Sequence, residues 1–342
     1  MQDKDKKEQR RNPARRLILK GVLFSLPFWL VVVLYFYDDP FMVLRRYKKY
    51  DSDIMLCEGC VGWNIYLNNR DSIPFNSFIL GNSCTMAFRC HEWEKYLDGG
   101  RAVRLFGNAE SMMAVYKKLL ALEHEKADIR NVLLVIDPVS LSKTRLLSGF
   151  TNVLPPAVSG DSELSFQLSS LQAFVSPGFL MPYLRYRLSG RKVLPGKGFN
   201  PYGQVRNPMN NDAINPRDKM ILDEGEAYWE SRAKEFPPRS GEPAVSGQVI
   251  YASQEKLLSD IAALFRRNQT KVKIILSPDY SQESANPADT DILRRLFGTE
   301  NVFDFTGINE YTADIHEYYE QGHYRPCLGN KLMEFIYREN RE

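Results

Sequence analysis

Short apolar runs alternate with amphipathic segments along the chain from about residue 75 onward. Each run stops at a glycine, a proline or a polar residue, as buried strands do, and the segments between the runs repeat their apolar residues at helical spacing. Such alternation is typical of an α/β fold in which helices cover both faces of a parallel sheet. The pattern predicts a five-stranded parallel sheet, with strands at 77–80, 102–106, 131–137, 271–277 and 301–305.

A long interval after the third predicted strand interrupts this alternation. It covers about 139–249, is rich in Pro, Gly, Ser and Asn, and is predicted to contain a few helices, such as 166–189, and long loops. An insertion at the carboxyl end of a strand can shape a substrate groove or can serve packing alone, and its composition does not decide between the two. We expect a domain at 75–342 that carries this insertion.

An uncharged apolar stretch at 21–37 lies near the N-terminus, and residues 17–19 extend it past Lys20. The resulting segment, 17–37, is long enough for a transmembrane helix, with aromatic residues at its far end. Residues 1–20 carry eight Lys or Arg against three Asp or Glu, a net +5. The positive-inside rule then predicts a cytoplasmic tail at 1–16, an anchor at 17–37, a stalk at 38–74 and an extracytoplasmic body.

A cleaved signal peptide and a buried core helix are the alternatives for this apolar segment. No small-x-small cleavage site follows it, and a core helix is rarely preceded by so many basic residues. The overall net charge is +3, so the chain beyond residue 20 sums to −2. This balance argues against a nucleic-acid-binding surface on the body.

Five cysteines follow the apolar segment, and two of them form the sequence Cys57-Glu-Gly-Cys60. A C-x-x-C pair can form a disulfide outside the cytoplasm, act as a redox motif or supply half of a zinc site. No second C-x-x-C and no nearby pair of histidines accompanies it. We interpret the pair as structural or incidental.

Three candidate pieces of chemistry follow predicted strands. The sequence "GNS" at 81–83 places Ser83 at the start of the segment after the first strand, and Gly107-Asn108 follows the second. A serine at such a turn can be a nucleophile, and a backbone N–H and a side-chain amide can stabilise an oxyanion. A serine helix cap and an ordinary β–α turn are the alternatives for these two motifs.

The third piece is Glu320-Gln-Gly-His323, which follows the fifth predicted strand. An imidazole can accept a proton from a serine, and a carboxylate three residues away can hold the other ring nitrogen. The other histidines, His91, His124 and His316, are interpreted as lying on the surface or pointing away from the site. Four scattered histidines provide no ligand cluster, so we expect no metal.

Together these motifs resemble the SGNH hydrolase-like superfamily, which has a flavodoxin-like sheet. The similarity is greatest to its membrane-anchored extracytoplasmic branch, which includes alginate O-acetyltransferase-type proteins and the protein used in D-alanylation of lipoteichoic acid. That branch combines an N-terminal anchor, a G-x-S turn after the first strand, an apolar strand ending in Ser-Pro and a C-terminal "YD-x-x-HY-x-P-x-x-G" segment. Here the last two read "IILSPDY" and "YYEQGHYRPCLG", and the resemblance covers about 75–137 and 270–337.

The resemblance implies that Ser83 is the nucleophile and His323 the general base, with Glu320 in place of the usual Asp. It also implies an oxyanion site formed by the Ser83 N–H, Gly107 and Asn108. The sequence departs from the family pattern after the third strand, where Asp137-Pro138 replaces a Gly-x-Asn-Asp block.

The expected function is a membrane-tethered serine esterase or O-acyltransferase that acts on a cell-envelope or exported polysaccharide through an acyl-serine intermediate, without a cofactor. The resemblance also implies a multi-spanning partner protein as a possible acyl donor, and a bacterial periplasm or cell surface as the location. The alternative is a non-catalytic glycan-binding or scaffold subunit of an envelope assembly system. In that case the stacking platforms would be Phe174, Tyr183, Tyr186 and Tyr202.

Overall fold

The computed structural model describes residues 13–191, 198–239 and 241–338. Most of the predicted basic tail at 1–16 therefore lies outside the described residues. The strands, in chain order, are β1 (Ser52–Ile54), β2 (Ser77–Gly81), β3 (Ala102–Phe106), β4 (Asn131–Ile136), β5 (Phe199–Arg206), β6 (Ala213–Ile214), β7 (Ala244–Val245), β8 (Lys271–Leu276), β9 (Glu283–Ser284), β10 (Val302–Asp304), β11 (Tyr318–Glu320) and β12 (His323–Tyr324).

The α-helices vary in length from one turn to more than six. In chain order they are α1 (Pro13–Asp38), α2 (Glu58–Asn69), α3 (Cys90–Glu94), α4 (Met112–His124), α5 (Pro138–Ser142), α6 (Pro156–Ser159), α7 (Glu163–Val175), α8 (Pro177–Leu188), α9 (Arg217–Glu224), α10 (Ala227–Glu230), α11 (Ala252–Arg267), α12 (Pro287–Phe297), α13 (Glu310–Ala313) and α14 (Pro326–Ile336).

The central sheet has five strands in the order β10-β8-β4-β2-β3, and every neighbouring pair is parallel. This confirms the predicted five-stranded parallel sheet. Alternate residues of each strand point to opposite faces, so β4 sends Leu134 into one apolar cluster and Leu133 and Val135 into the other. Because both faces are covered, all six residues of β4 are buried.

The two faces are covered by different helices. On one face, α4 and α11 pack against the sheet through residues such as Leu119 and Ile261. On the other face, α14 packs through Leu328 and Leu332. Gly329 of α14 lies so close to the main chain that a Cβ there would stand 2.2 Å from the carbonyl oxygen of Ala87. The last helix is thereby held against the segment that follows β2.

The segment 38–74, predicted as a stalk, packs against the rest of the body in the structure. Strand β1 pairs antiparallel with β5 from the insertion. Helix α2 buries most of its length, with Trp63 and Ile65 each 2% exposed or less. The apolar residues of α2 remove large side chains from water, which a solvated stalk does not do.

Helix α1 is long and apolar enough to cross a membrane, as the sequence predicts. Most of its side chains are exposed, and its last two turns contact the body through Val31, Leu34 and Tyr35. The ring of Tyr35 packs against Phe174 at 5.3 Å between ring centroids. The predicted helical stretch 166–189 consists of two helices, α7 and α8. They are separated at Ser176, which precedes Pro177, because a proline disfavours helical geometry in the residue before it.

Three of the four aromatic residues predicted as glycan-stacking platforms are buried and are not available for stacking. Phe174, Tyr183 and Tyr186 are at most 4% exposed and form one cluster with Phe41 and Phe199. The side chain of Tyr202 lies outside the described part of the structure. The cluster that contains Phe174, Tyr183 and Tyr186 holds the insertion to the end of α1.

The five cysteines are free thiols, and four of them are buried. The Sγ atoms of Cys57 and Cys60 are 2.8 Å apart, and the Cys57 thiol also contacts the carbonyl oxygen of Val153 at 2.8 Å. Burial raises the pKa of the Cys60 and Cys84 thiols. Since thiolates are the reactive form, these thiols are protected from modification in two ways: reagents cannot reach them, and they stay protonated.

We therefore expect iodoacetamide to modify Cys327 alone in the reduced, folded protein. The buried thiols become reactive only after unfolding, so their modification in denaturant provides the matched control. Peptide mass spectrometry after native and denaturing alkylation measures this directly. Rapid native modification of Cys84 or Cys90 would contradict the packing described above.

Candidate active site

The turn at the end of β2 is built around a glycine whose conformation and surroundings disfavour any side chain. Gly81 has φ +128°, and a Cβ at this position would lie 1.9 Å from the carbonyl oxygen of Val135 on β4. Asn82 caps the 3-10 helix Ser83–Ala87 by accepting from the Cys84 N–H at 2.9 Å. Its amide nitrogen donates to Asp137 at 2.6 Å, which fixes the turn to the end of β4. Ser83 is thus held at the carboxyl edge of the sheet.

The predicted histidine and acid come to this serine from the other end of the chain. Strands β11 and β12 form a small antiparallel hairpin in which Glu320 and His323 are register partners. The Oγ of Ser83 lies 2.7 Å from Nε2 of His323, although the two residues are 240 positions apart. The other ring nitrogen, Nδ1, lies 2.6 Å from Oε1 of Glu320. The structure therefore brings Ser83, His323 and Glu320 together as a continuous hydrogen-bonded chain.

The insertion supplies a fourth residue that the sequence did not predict. Arg217, the first residue of α9, donates from Nη1 to the second carboxylate oxygen of Glu320 at 2.7 Å. The same guanidinium contacts the carbonyl oxygen of Tyr319 at 3.2 Å and the carboxylate of Glu235 at 3.1 Å. A lone arginine in a loop-rich insertion has no motif to identify it. It now anchors the acid that orients the histidine.

The carboxylate of Glu320 is stabilised as an anion by these contacts. The hydrogen bond from His323 is the largest cause and the charge of Arg217 a further one, and together they lower the pKa of Glu320 to about 2 despite partial burial. An ionised carboxylate accepts from the Nδ1 N–H of the ring, which leaves Nε2 as the acceptor for the Ser83 hydroxyl. The arrangement therefore favours the tautomer that a general base requires.

The depressed pKa of Glu320 has a consequence for acid stability. The ordinary pKa of a glutamate carboxyl is about 4.5, and above this pH Glu320 is ionised in both the folded and the unfolded protein, so its contacts contribute fully to stability. As the pH falls from there towards 2, the unfolded chain takes up the proton first, and this contribution is lost. We expect the unfolding free energy to fall more steeply between these pH values in the wild type than in Glu320→Gln, measured by urea unfolding. Glu230→Gln, which removes an exposed carboxylate, is the control, and equal slopes for wild type and Glu320→Gln would contradict the contacts.

Gly107 differs from the prediction. Its N–H donates to the carbonyl oxygen of Gly81 at 3.2 Å, because the β2–β3 ladder continues one residue past the pairing of Gly81 with Phe106. This donor is therefore engaged and does not serve as an oxyanion donor in this arrangement. Among the hydrogen bonds of the described residues, none engages the Ser83 N–H or the Asn108 amide, and these two predicted donors remain candidates.

Asp137 at the end of β4 has a structural role. Its two carboxylate oxygens accept from the Ser140 N–H at 2.6 Å and from the Asn82 amide at 2.6 Å. One contact caps α5 and the other fixes the turn before Ser83. A carboxylate offers no donor to an oxyanion, so this strand end positions the turn and supplies no amide of its own.

A buried thiol beneath the site connects the segment that carries Ser83 with the hairpin that carries His323. Cys84, directly after Ser83, contacts the carbonyl oxygen of Gly322 at 3.2 Å through its Sγ. The hydroxyl of Tyr324 lies 3.4 Å from the hydroxyl of Ser277, the residue that directly follows β8. These contacts join the turn after β2 to the hairpin that carries His323.

The remaining histidines do not reach this site. His316 contacts Asp314 at 2.6 Å through Nδ1 and Glu226 at 3.1 Å through Nε2, and its ring is exposed. His91 pairs with Glu92 at 2.9 Å, and His124 is largely exposed. No group of three or more His, Cys, Asp or Glu residues within the described ranges is arranged to hold a metal ion.

A cleft opens beside the site. It is lined partly by Met86, three residues after Ser83, by Asn108, and by Pro216, which precedes Arg217. Its other lining residues are mostly apolar and include Phe106 and Ile214. Ser83 and His323 do not line the cleft themselves, so its connection to the site runs through Met86, Asn108 and Pro216.

Comparison with known proteins identifies no relative: no family model, no curated protein and no solved structure matches this chain.

Proposed function

We propose that the protein is a membrane-tethered serine esterase or O-acyltransferase that works through an acyl-serine intermediate. The observation that carries the proposal is the hydrogen-bonded chain from Ser83 through His323 to Glu320, with distances of 2.7 and 2.6 Å. A serine, an imidazole and a carboxylate in this order are the groups that acyl transfer requires. The resemblance to SGNH hydrolases, stated from the motifs, agrees with the same chemistry.

In the first half-reaction, Nε2 of His323 takes the hydroxyl proton of Ser83 while Oγ bonds to the carbonyl carbon of an acyl ester. The tetrahedral intermediate collapses when its bond to the leaving oxygen breaks, and the imidazolium returns the proton to that oxygen. Glu320 holds the ring and stabilises the imidazolium that forms. The products of this step are the released alcohol and the acyl group on Ser83.

In the second half-reaction, His323 removes a proton from an incoming hydroxyl, whose oxygen bonds to the acyl carbon of the acyl-serine. The bond from that carbon to Oγ of Ser83 then breaks, and the imidazolium returns the proton to Oγ, which restores free Ser83 and His323. Water as the acceptor gives hydrolysis, and a sugar hydroxyl gives O-acyl transfer. The Ser83 N–H and the Asn108 amide are the proposed oxyanion donors, since such donors act where negative charge develops. The cleft beside Met86 is the proposed position for the acyl group.

The proposed substrate is an acyl ester on a cell-envelope or exported polysaccharide. Helix α1 would keep the body at a membrane, with the body on the extracytoplasmic side as the positive-inside rule predicts. A multi-spanning protein is the proposed source of acyl groups in the transferase case. The glycan-binding alternative has lost its main support, because the three described aromatic platforms are buried.

The direct test is covalent capture of the intermediate. The full-length protein in detergent is incubated with a fluorophosphonate and, separately, with an activated acetyl ester, and its intact mass is then measured. One adduct is expected, located on the peptide that carries Ser83 and lost in Ser83→Ala. Ser253→Ala, which changes an exposed serine of α11, is the matched control and should label fully. Absence of any adduct on the folded wild-type protein would contradict the proposal.

A further inference from the structure

Helices α7 and α8 present apolar side chains on the side that faces away from the body. Leu164 and Leu168 of α7 are 70% and 55% exposed, and Met181 and Leu188 of α8 are 64% and 88% exposed. Each lies two residues from a buried aromatic side chain, namely Phe166, Phe179 or Tyr186. Two residues turn an α-helix by about 200°, so the exposed side chains lie opposite the buried ones.

These helices are fixed to the end of α1. Phe174 of α7 packs against Tyr35, which is 1% exposed. Asp38, the last residue of α1, accepts a hydrogen bond from the Tyr183 hydroxyl and pairs with Arg187 at 3.0 Å. A buried aromatic contact and two polar contacts give a rigid connection between α1 and the α7–α8 pair.

The length of α1 sets the depth at which this connection lies. The apolar segment 17–37 spans roughly 31 Å as a helix, close to the ~30 Å hydrocarbon thickness of a bilayer. Tyr35 then lies in the last turn before the headgroup region. Because Phe174 contacts Tyr35, the adjoining parts of α7 and α8 must lie at nearly the same depth.

We propose that α7 and α8 lie on the bilayer surface beside α1, with Leu164, Leu168, Met181 and Leu188 inserted among the acyl chains. The occupant of this apolar surface is phospholipid, because α7 and α8 are joined to the end of the helix that would cross the bilayer. The exposed guanidinium groups of Arg185 and Arg191 stand near the C-terminal end of α8, where anionic headgroups attract them. The proposal rests on α1 spanning a membrane and is independent of the chemistry at Ser83.

The test measures the depth of single labelled positions in the full-length protein. Leu168→Cys and Leu188→Cys are made with Cys327→Ser, labelled with a polarity-sensitive bimane, and reconstituted in vesicles of equimolar phosphatidylcholine and phosphatidylglycerol. Val33→Cys, on an exposed position of α1, reports insertion of the anchor. Ile308→Cys, an exposed position after β10 at the far edge of the sheet, is the matched control.

We expect emission at positions 168 and 188 to shift to the blue and to lose most of its intensity when the lipid tails carry bromine, as at position 33. Position 308 should stay unshifted and unquenched. Water-like emission at 168 and 188 alongside a quenched position 33 would overturn the proposal. A blue shift without quenching would also overturn it, because a second copy or another protein would then cover the surface. An unquenched position 33 would remove its premise.

Discussion

His323→Ala is expected to lower ester turnover by about 10⁴-fold or more, and Ser83→Ala by a similar factor. Each substitution removes one residue of the hydrogen-bonded series Ser83–His323–Glu320, whose two hydrogen bonds are 2.7 and 2.6 Å long. Since the nucleophile and its base act as a unit, the double variant should lose little more than either single variant. The measurement is the rate of aryl acetate hydrolysis by full-length protein in detergent, with the thermal unfolding midpoint recorded for each variant.

His316→Ala is the matched control for this prediction. His316 also has a carboxylate at Nδ1, but Glu226 and not a hydroxyl faces its Nε2, and its ring is 44% exposed. It should retain wild-type turnover. Equal losses in His316→Ala and His323→Ala, or multiplicative losses in the Ser83/His323 double variant, would contradict the assignment of His323 as the base for Ser83.

Gly81→Ala is expected to destabilise the protein by about 3 kcal/mol or more, because it combines two separate costs. The backbone at φ +128° is unfavourable for any residue with a side chain, and the new Cβ would lie 1.9 Å from a main-chain oxygen of the central strand. Main-chain atoms of a buried parallel sheet cannot move aside without disrupting the hydrogen bonds of the sheet. The thermal unfolding midpoint should fall by roughly 5 °C or more.

Gly99→Ala separates the two costs. Gly99 also has positive φ, at +63°, but its Cβ would meet nothing within 4 Å. We expect a loss of about 1 kcal/mol from backbone strain alone. A Gly81→Ala protein no less stable than Gly99→Ala would show that the turn relaxes without cost and that Ser83 is held less firmly than its contacts indicate.

The strands and the Ser83–His323–Glu320 chain were predictable from sequence for one physical reason. In a parallel sheet the carboxyl ends of all strands lie along one edge, so the segments that follow different strands can meet there. Here the β11–β12 hairpin, which follows β10 in the chain, reaches Ser83 although β8 and β4 lie between β10 and β2 in the sheet. Hydrophobic runs were enough to locate those strand ends. The competing histidines were set aside because His316 follows Asp314 by two residues instead of three and because His91 belongs to the helical segment after the first strand; in the structure both pair with nearby carboxylates instead of Ser83.

Other features depend on geometry that no local pattern carries. The hydrogen bond from Gly107 to Gly81 follows from the register of two strands, which a motif of two residues does not specify. Arg217 reaches Glu320 only through the path of the insertion, whose loops have no periodicity. The segment 38–74 was interpreted as a stalk from its position, although α2 carries the apolar residues of a buried helix.

The separation of Ser83 and His323 by 240 positions also has a consequence for biogenesis. At synthesis rates of about 5–20 residues per second, the base is made roughly 10–50 seconds after the nucleophile. During that interval Ser83 has no imidazole beside it, and β2 lacks its partner strands β3 and β4 until they too are synthesised. The proposed acyl transfer therefore requires the C-terminal hairpin to close over the finished sheet, and the nascent chain before that point has no base for Ser83.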